Sequence, residues 1–195
     1  MSEPAFLFAT DSHANDYIWK RFRSVYGDAY HALTSVVNTA NERGIPLVLG
    51  GDIFNSNILS PKILSETVDR LVHMLKTDLY YIQGNHDKNE IPWLSVFQKF
   101  VPTIKYLHKQ IHDINGVSIT GYDHVTNSYI PEMLDYLGNC NADVGVIHQA
   151  GNGTLKIEGA YDFKEEEVPS NIQLLLVGHY HNRVEGEIAG GKIVY

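Results

Sequence analysis

Cysteine is almost absent from this chain of 195 residues, since Cys140 is the only one. A single thiol can neither form an intrachain disulfide nor build a thiolate zinc site, so both means of stabilising a small fold are excluded. The sequence also lacks any stretch that approaches the roughly 18 apolar residues of a membrane span, and no basic, apolar leader opens it. We therefore expect an intracellular, cytoplasmic protein with no membrane partner.

Basic residues are outnumbered, because 15 Lys and Arg stand against 23 Asp and Glu, for a formal net charge of −8. This balance argues against a general nucleic-acid binder, which needs a positive surface. The ten histidines are many for the chain length, and imidazole serves as a metal ligand or as an acid and base near neutral pH. A chain of this size buries about 70% of its unfolded surface, and we expect one domain over residues 1–195.

Five short apolar runs, each followed by glycine or polar residues, are typical of strands buried on both faces. They are residues 5–10, 46–51, 79–84, 143–148 and 173–179. Apolar residues at helical spacing predict one helix over 28–43 and another that starts at Pro61 and reaches Leu75. Hairpin turns are predicted at Asn115-Gly116 and Gly190-Gly191. The alternation predicts a mixed α/β fold with largely parallel strands flanked by helices.

Each predicted strand ends in residues that can bind a metal or move a proton. In chain order these are Asp11-Ser12-His13, Gly51-Asp52, Asn85-His86, His148 and His179-Tyr180-His181. Because ligands bind at the carboxyl ends of parallel strands, we expect these side chains to converge. Residues two apart in extended backbone project to the same side, which pairs Asp11 with His13. The same spacing pairs His179 with His181. A lone histidine at a strand end is usually structural, but five such ends in order indicate a site.

These motifs (DSH, GGD, GNHD, a histidine after a strand, and GHYH) resemble those of the calcineurin-like metallophosphoesterase superfamily from Asp11 to His181. The resemblance implies a four-layer sandwich, with largely parallel central sheets flanked by helices and no cap domain. It also implies two divalent metal ions. One would be held by Asp11, His13, Asp52 and His181, and the other by Asp52, Asn85, His148 and His179. Asp52 would bridge them, because a carboxylate can bind two cations about 3.5–4 Å apart.

A ligand set of nitrogen and oxygen without thiolate favours manganese, iron or zinc over a magnesium-only site, and we expect manganese. The resemblance implies that metal-activated water attacks a phosphoester with no covalent intermediate. His86, next to a ligand but not itself one in the family pattern, is the expected catalytic residue, placed to protonate the leaving oxygen or to stabilise the transition state. Asp87 is expected to fix the tight turn or to hydrogen-bond nearby backbone, and not to contact substrate.

Within the superfamily, the segments GGDIFNSNILS, GNHD and GKIVY look most like the nuclease subunit of double-strand-break repair complexes and its SbcD-type bacterial relatives. This resemblance implies a manganese-dependent DNA nuclease, a 3′-to-5′ exonuclease and single-strand endonuclease. Its expected partners are DNA, a coiled-coil ABC-type ATPase and a second copy of the chain. Asn55 departs from the acidic or histidine residue usual at its position, and an amide cannot stabilise a protonated His86 as a carboxylate would. Asn55 is kept as a candidate substrate contact.

Basic and aromatic side chains alternate between residues 16 and 26, DYIWKRFRSVY. Lys20, Arg21 and Arg23 in this segment could grip a nucleic-acid backbone while the aromatic rings stack on bases. The alternative is a loop whose aromatic rings pack on the core and whose basic tips are solvated. We predict the three basic residues as substrate contacts.

Two other functions fit the same motifs. A small-substrate phosphodiesterase, acting on cyclic nucleotides or nucleotide esters, would use the same metals in a closed pocket. A catalytically weak protein could bind DNA ends or partners on the same fold. Repair nucleases of this type continue beyond the strand that contains KIVY into a capping domain and ATPase-binding helices, whereas this sequence stops at Tyr195. It is then either a trimmed piece or a minimal natural form, such as a virus-encoded one.

Overall fold

The computed structural model describes residues 3–15, 28–154 and 160–195, and these form two β-sheets between helices. The first sheet is entirely parallel, in the order β1-β2-β3-β4. Its strands are Leu7–Ala9 (β1), Leu47–Gly50 (β2), Leu79–Ile82 (β3) and Ile104–Tyr106 (β4). The second sheet has the order β5-β6-β7-β8-β10-β9. Its strands are Ile111–Ile114 (β5), Val117–Tyr122 (β6), Val144–His148 (β7), Leu174–Gly178 (β8), Glu185–Ile188 (β9) and Gly191–Val194 (β10).

The second sheet is mixed because each of its outer strands forms a hairpin with the strand beside it. Strands β6, β7, β8 and β10 run parallel, while β5 and β9 pair antiparallel with β6 and β10. Asn115 and Gly116 turn the first hairpin with φ angles of 53° and 84°, as a mirror-image turn requires. The second hairpin turns one residue earlier than expected, at Ala189 and Gly190, because Gly191 already pairs with Ile188.

Within the described ranges four α-helices accompany the sheets: Asp28–Arg43 (α1), Pro61–Val68 (α2), Ser95–Gln98 (α3) and Ile130–Asn139 (α4). The Ser60 hydroxyl caps α2 by accepting from the Ile63 N–H. The predicted helix from Pro61 continues only as a π-helical segment, Asp69–Met74, whose wider turn shifts the phase of the apolar stripe. Strand β4 and helices α3 and α4 are elements that the sequence patterns do not predict. None of the helices in the described ranges has the length and apolarity needed to cross a bilayer.

The layers follow from the alternation of side chains along the strands. Helix α1 packs on the outer face of the first sheet, and α4 packs on the outer face of the second. Between the sheets, apolar residues from both interdigitate: Val48, Tyr80 and Ile82 from the first, and Ile119, Val146 and Leu176 from the second. This arrangement confirms the expected four layers, and it leaves the carboxyl ends of the parallel strands of both sheets at one edge.

Helix α4 should contribute strongly to stability through its fully buried Leu137. We expect Leu137→Ala to lower the free energy of unfolding by about 2–5 kcal/mol, because it removes contacts and leaves a cavity. Urea denaturation followed by circular dichroism measures the loss. Leu134→Ala on the same helix is the control, since Leu134 is only half-buried and should cost clearly less. Equal losses would contradict this view of the second sheet's outer core.

Candidate metal centre

The side chains predicted as metal ligands converge at the edge where the strands of both sheets end. Their ligand atoms form three overlapping groups, within each of which the atoms lie within 4.8 Å of one another. The groups are Asp11, His13 and His181; Asp52, His148 and His179; and His13, Asp52 and His86. Asn85 joins the second group, with its Oδ1 2.9 Å from His179 Nδ1.

Both sheets contribute to this centre, and hydrogen bonds between them hold it closed. The ring Nδ1–H of His148, at the end of β7, donates to the Gly50 carbonyl at the end of β2 over 2.7 Å. The backbone N–H of His179, after β8, donates to Asp11 Oδ2, after β1, over 3.0 Å. The relative position of the candidate ligands is therefore fixed by how the two sheets dock.

The first group presents two imidazoles and a carboxylate to one point. His13 Nε2 and His181 Nε2 face each other at 3.2 Å. Asp11 Oδ1 lies 3.7 Å from the His13 nitrogen and 3.5 Å from that of His181. One cation could satisfy all three atoms, whereas the bare nitrogens offer each other at most a single shared proton.

The second group contains a buried nitrogen that lacks a partner. His148 is fully buried, its Nδ1–H is engaged by Gly50, and its Nε2 makes no hydrogen bond although Asp52 Oδ2 lies 3.3 Å away. A histidine whose other nitrogen is held by a carbonyl, and whose free lone pair points at a carboxylate, has the arrangement of a metal ligand. The residues present thus fit a divalent cation.

Asp52 stands between the two groups. Its Oδ1 accepts from the His86 backbone N–H at 2.9 Å, while its Oδ2 lies 3.7 Å from His13 Nε2 and 3.3 Å from His148 Nε2. Burial raises the pKa of Asp52, but the adjacent His148 and the His86 N–H lower it below its ordinary value. The carboxylate therefore stays ionised, with one oxygen facing both groups.

The histidines respond to burial in two ways. Burial alone lowers the pKa of His148, but the carboxylates of Asp52 and Asp11 raise it above its usual value. For His13 and His179, burial dominates and the pKa falls, which favours the neutral imidazole that metals bind. A cation at the centre would replace the proton that His148 attracts, because ligation needs its lone pair.

Backbone strain concentrates at the centre. Of the six non-glycine residues with positive φ in the described ranges, four are candidate ligands: Asp11 (56°), His13 (43°), Asp52 (47°) and His179 (89°). Such angles are costly and persist where the surroundings impose them, often at functional sites. The expectation that Asp11 and His13 share a pocket holds, but left-handed turns after β1 cause it, not the side-chain alternation of an extended strand.

Asp87 shapes the loop that carries Asn85 and His86. Its buried carboxylate accepts from the backbone N–H groups of Gly84 (2.8 Å), Ile53 (2.7 Å) and Phe54 (3.3 Å). Burial and the nearby Asp52 charge raise its pKa to about 6. Asp87 thus fixes the turn, as expected, and ties it to the segment after Asp52.

The predicted proton donor is exposed at the mouth of the centre. The His86 ring lies 5.0 Å from the ring of His13, and its Nδ1–H donates to the backbone carbonyl of Asn55 at 3.2 Å. The contact runs through the backbone of Asn55, so a substrate contact by its side chain stays a prediction. Lys20, Arg21 and Arg23 lie outside the described residues.

Three further residues border the centre without having been expected there: Gln83, Asp123 and His124. The His124 ring lies 5.9 Å from that of His179 and 6.3 Å from that of His148. Burial and these two rings lower the pKa of His124 to about 4. Their position after a strand was a weaker signal than at the candidate ligands, since Asp123 and His124 follow an alternating segment, now strand β6, and not an apolar run.

This geometry, on a four-layer α/β sandwich, is that of a metal-dependent phosphoesterase domain. A family model described as calcineurin-like phosphoesterase matches residues 4–183, so the chain belongs to that family. A solved structure described as a novel archaeal phosphodiesterase superimposes with a TM-score of 0.50. The superposition covers 96% of this chain and 79% of that one at 11% identity, and it supports the fold alone.

Three archaeal relatives share the name DNA double-strand break repair protein Mre11. The protein of Sulfolobus acidocaldarius is 23% identical over 86% of this chain and 47% of its own length. That of Sulfurisphaera tokodaii is 24% identical over 100% and 53%. The protein of Nanoarchaeum equitans is 26% identical over 89% and 56%. The chain spans about half the length of these curated relatives.

The contact between Gly84 and Asp52 allows a direct test of the centre. A Cβ on Gly84 would lie 2.0 Å from Asp52 Oδ1 and 2.4 Å from its backbone nitrogen. We therefore expect Gly84→Ala to displace the carboxylate and to weaken Mn²⁺ binding by about 10–100-fold. Isothermal titration measures this, with a thermal melt to check folding. The control is Gly138→Ala, whose Cβ would only touch Pro169 at 3.4 Å. Unchanged binding by the Gly84 variant would contradict the role given to this contact.

Proposed function

We propose that this domain hydrolyses phosphodiester bonds of DNA with two divalent ions, manganese in its native state. The observation that carries the proposal is the position of Asp52 Oδ2, which faces His13 Nε2 on one side and His148 Nε2 on the other. A lone carboxylate oxygen between two sets of nitrogen and oxygen donors suits a bridge between two cations.

The proposed ligands follow the two groups around that bridge. Asp11, His13, Asp52 and His181 hold one ion, and Asp52, Asn85, His148 and His179 hold the other. When bound, the ions would lower the pKa of a coordinated water and offset the charge of the phosphate. The ions would also make the centre attractive to phosphate although the chain is acidic overall, because two divalent cations outweigh the carboxylates of Asp11 and Asp52.

His86 is the proposed proton donor to the leaving oxygen. Its exposed ring can meet a substrate at the mouth of the centre, and the hydrogen bond from Nδ1 to the Asn55 carbonyl holds its orientation and leaves Nε2 free. The backbone carbonyl also accepts from a protonated ring. It therefore offers part of the support that Asn55, as an amide, cannot give with its side chain.

DNA as the substrate is supported by the names of the three Mre11 relatives, which align over 86–100% of this chain. A basic group also lies near the centre. The Nζ–H of the exposed Lys88 donates a hydrogen bond to the His124 carbonyl, and this ammonium group can contact a phosphate. The 3′-to-5′ exonuclease and single-strand endonuclease activities, the ATPase partner and the homodimer belong to the same proposal.

A small phosphodiester is the second candidate substrate, because a cavity of about 580 Å³ borders the first group of ligands. Asp11 and His181 are among the residues that line it, together with Phe8, Tyr180 and Arg183. A space of this size with aromatic walls could hold the base of a nucleotide ester, whereas DNA would cross the open mouth near His86.

The substrate is decided by one comparison. The chain is analysed for bound metal and then incubated with Mn²⁺ and linear duplex DNA, circular single-stranded DNA or cyclic nucleotides. We expect hydrolysis of both DNAs, and none by Asp52→Asn prepared in parallel as the control for contaminating nuclease. Hydrolysis of cyclic nucleotides alone would establish the second candidate. Metal-dependent binding of DNA ends without cleavage would establish a binding protein.

The role of His86 is tested by His86→Gln, which should keep both ions and lose about 10²–10⁴-fold in kcat, as expected when a general acid is removed. Metal analysis and turnover on the same preparation measure the two effects. His73→Gln is the matched control, since His73 is an exposed histidine that pairs with Asp69 on the π-helical segment, and it should leave kcat unchanged. An unaltered rate for His86→Gln would remove this residue from the mechanism.

A further inference from the structure

A polar tie joins the two sheets beside the metal centre. Gln83 directly follows β3 of the first sheet, and Asp123 directly follows β6 of the second. Asp123 Oδ1 accepts from the Gln83 backbone N–H at 2.8 Å, and Oδ2 accepts from Gln83 Nε2 at 3.1 Å. The next backbone N–H, of His124, donates to the Gln83 carbonyl at 3.0 Å. Three hydrogen bonds thus connect the ends of two strands that belong to different sheets.

The tie is buried and fully partnered. Gln83 and Asp123 are each 5% exposed. The Tyr106 hydroxyl donates to Asp123 Oδ2, and the Asp123 N–H donates to His108 Nδ1 at 2.9 Å. A buried carboxylate with this many donors is held in one orientation, because any rotation would leave polar groups without partners. The network therefore holds Gln83 and Asp123 rigidly in one position relative to each other.

Gln83 also closes the loop that carries Asn85 and His86. Its Oε1 accepts from the Asn89 backbone N–H at 2.8 Å, and its Nε2 donates to the Asn89 carbonyl at 3.1 Å. The side chain of the residue before Gly84 thus binds both backbone groups of the residue after Lys88. Gln83 is thus a clamp that fixes both ends of the loop of residues 84–88, and its hydrogen bonds to Asp123 attach this clamp to the second sheet.

This clamp governs a contact between the sheets. Asn85 comes from the first sheet and must stand 2.9 Å from His179 of the second. The other two ties described at this edge, Gly50 to His148 and Asp11 to His179, involve candidate ligands directly. The tie between Gln83 and Asp123 involves none of the proposed ligands, so it can position them whether or not ions are bound.

We infer that Gln83 and Asp123 are positioning residues that set the place of Asn85 and His86 relative to His179. They thereby control the affinity of the second ion and the aim of the proton donor. The inference rests on the proposed two-metal function. Substitution of outer residues that orient metal ligands typically changes affinity or activity by about 10–100-fold, and an effect of this size separates the role from a contribution to folding alone.

The test removes the clamp while keeping its volume. Gln83→Met loses every side-chain hydrogen bond, and Asp123→Asn loses the acceptor that Gln83 Nε2 and Tyr106 share. Thr120→Val is the control, because Thr120 is also fully buried and loses bonds to the Gln110 carbonyl and the Tyr136 hydroxyl. Those bonds lie away from the centre, on the side of α4.

Mn²⁺ titration of each protein is followed by calorimetry and by electron paramagnetic resonance, which distinguishes an exchange-coupled pair from isolated ions. Bis(p-nitrophenyl) phosphate is the turnover probe. We expect Gln83→Met to bind the first ion normally, to bind the second about 10–100-fold more weakly, and to lose kcat with little change in KM. Asp123→Asn should shift the same quantities in the same direction. Thr120→Val should lower only the melting temperature.

The inference is overturned if Gln83→Met, or Asp123→Asn where the former does not fold, changes the melting temperature alone and keeps the coupled pair. Failure of the proposed function is recognised separately, because the unaltered chain would then show no coupled pair at any Mn²⁺ concentration. That result would also remove the basis of the inference.

Discussion

A buried negative charge at the junction of two sheets is the constraint around which this structure is arranged. Asp52 is 1% exposed, and such a carboxylate is tolerated only with partners of opposite sign or with hydrogen bonds. The backbone N–H of His86 holds one oxygen, and the imidazoles of His13 and His148 stand on either side of the other. Glycine at position 84 is what lets the next strand end come this close.

Much of the fold was accessible from the sequence for a simple physical reason. Strands buried on both faces show unbroken apolar runs, and the five predicted runs are strands β1, β2, β3, β7 and β8. Strand β1 differs from the expectation in being only half-buried, because it lies at the edge of its sheet. Strand β4 is missed because Lys105 stands at its centre, so no apolar run marks it. Nothing in an apolar run tells which of two sheets it joins, so the division into sheets came from the resemblance. The π-helical segment after Val68 breaks the 3.6-residue period on which helix prediction depends.

The candidate ligands were predictable because ligand residue types follow strands, yet their geometry was not. Asp11, His13 and His179 lie in left-handed backbone, where the rule that residues two apart share a side does not apply. Gln83 and Asp123 resemble ordinary loop residues in the sequence, since a hydrogen bond between positions 40 apart leaves no local pattern. The sequence shows which potential metal ligands and hydrogen-bonding residues follow each strand. Which donors meet depends on how the sheets dock.

The division of the centre between the sheets has a thermodynamic consequence. The first sheet supplies Asp11, His13, Asp52 and Asn85, and the second supplies His148, His179 and His181, so the site exists only once the sandwich is assembled. Any cation bound there acts as a reversible cross-link between the layers. A ligand present at a hundred times its dissociation constant favours the folded state by about 2.7 kcal/mol. The supply of free metal would therefore influence how long the protein survives in the cell as well as how fast it works.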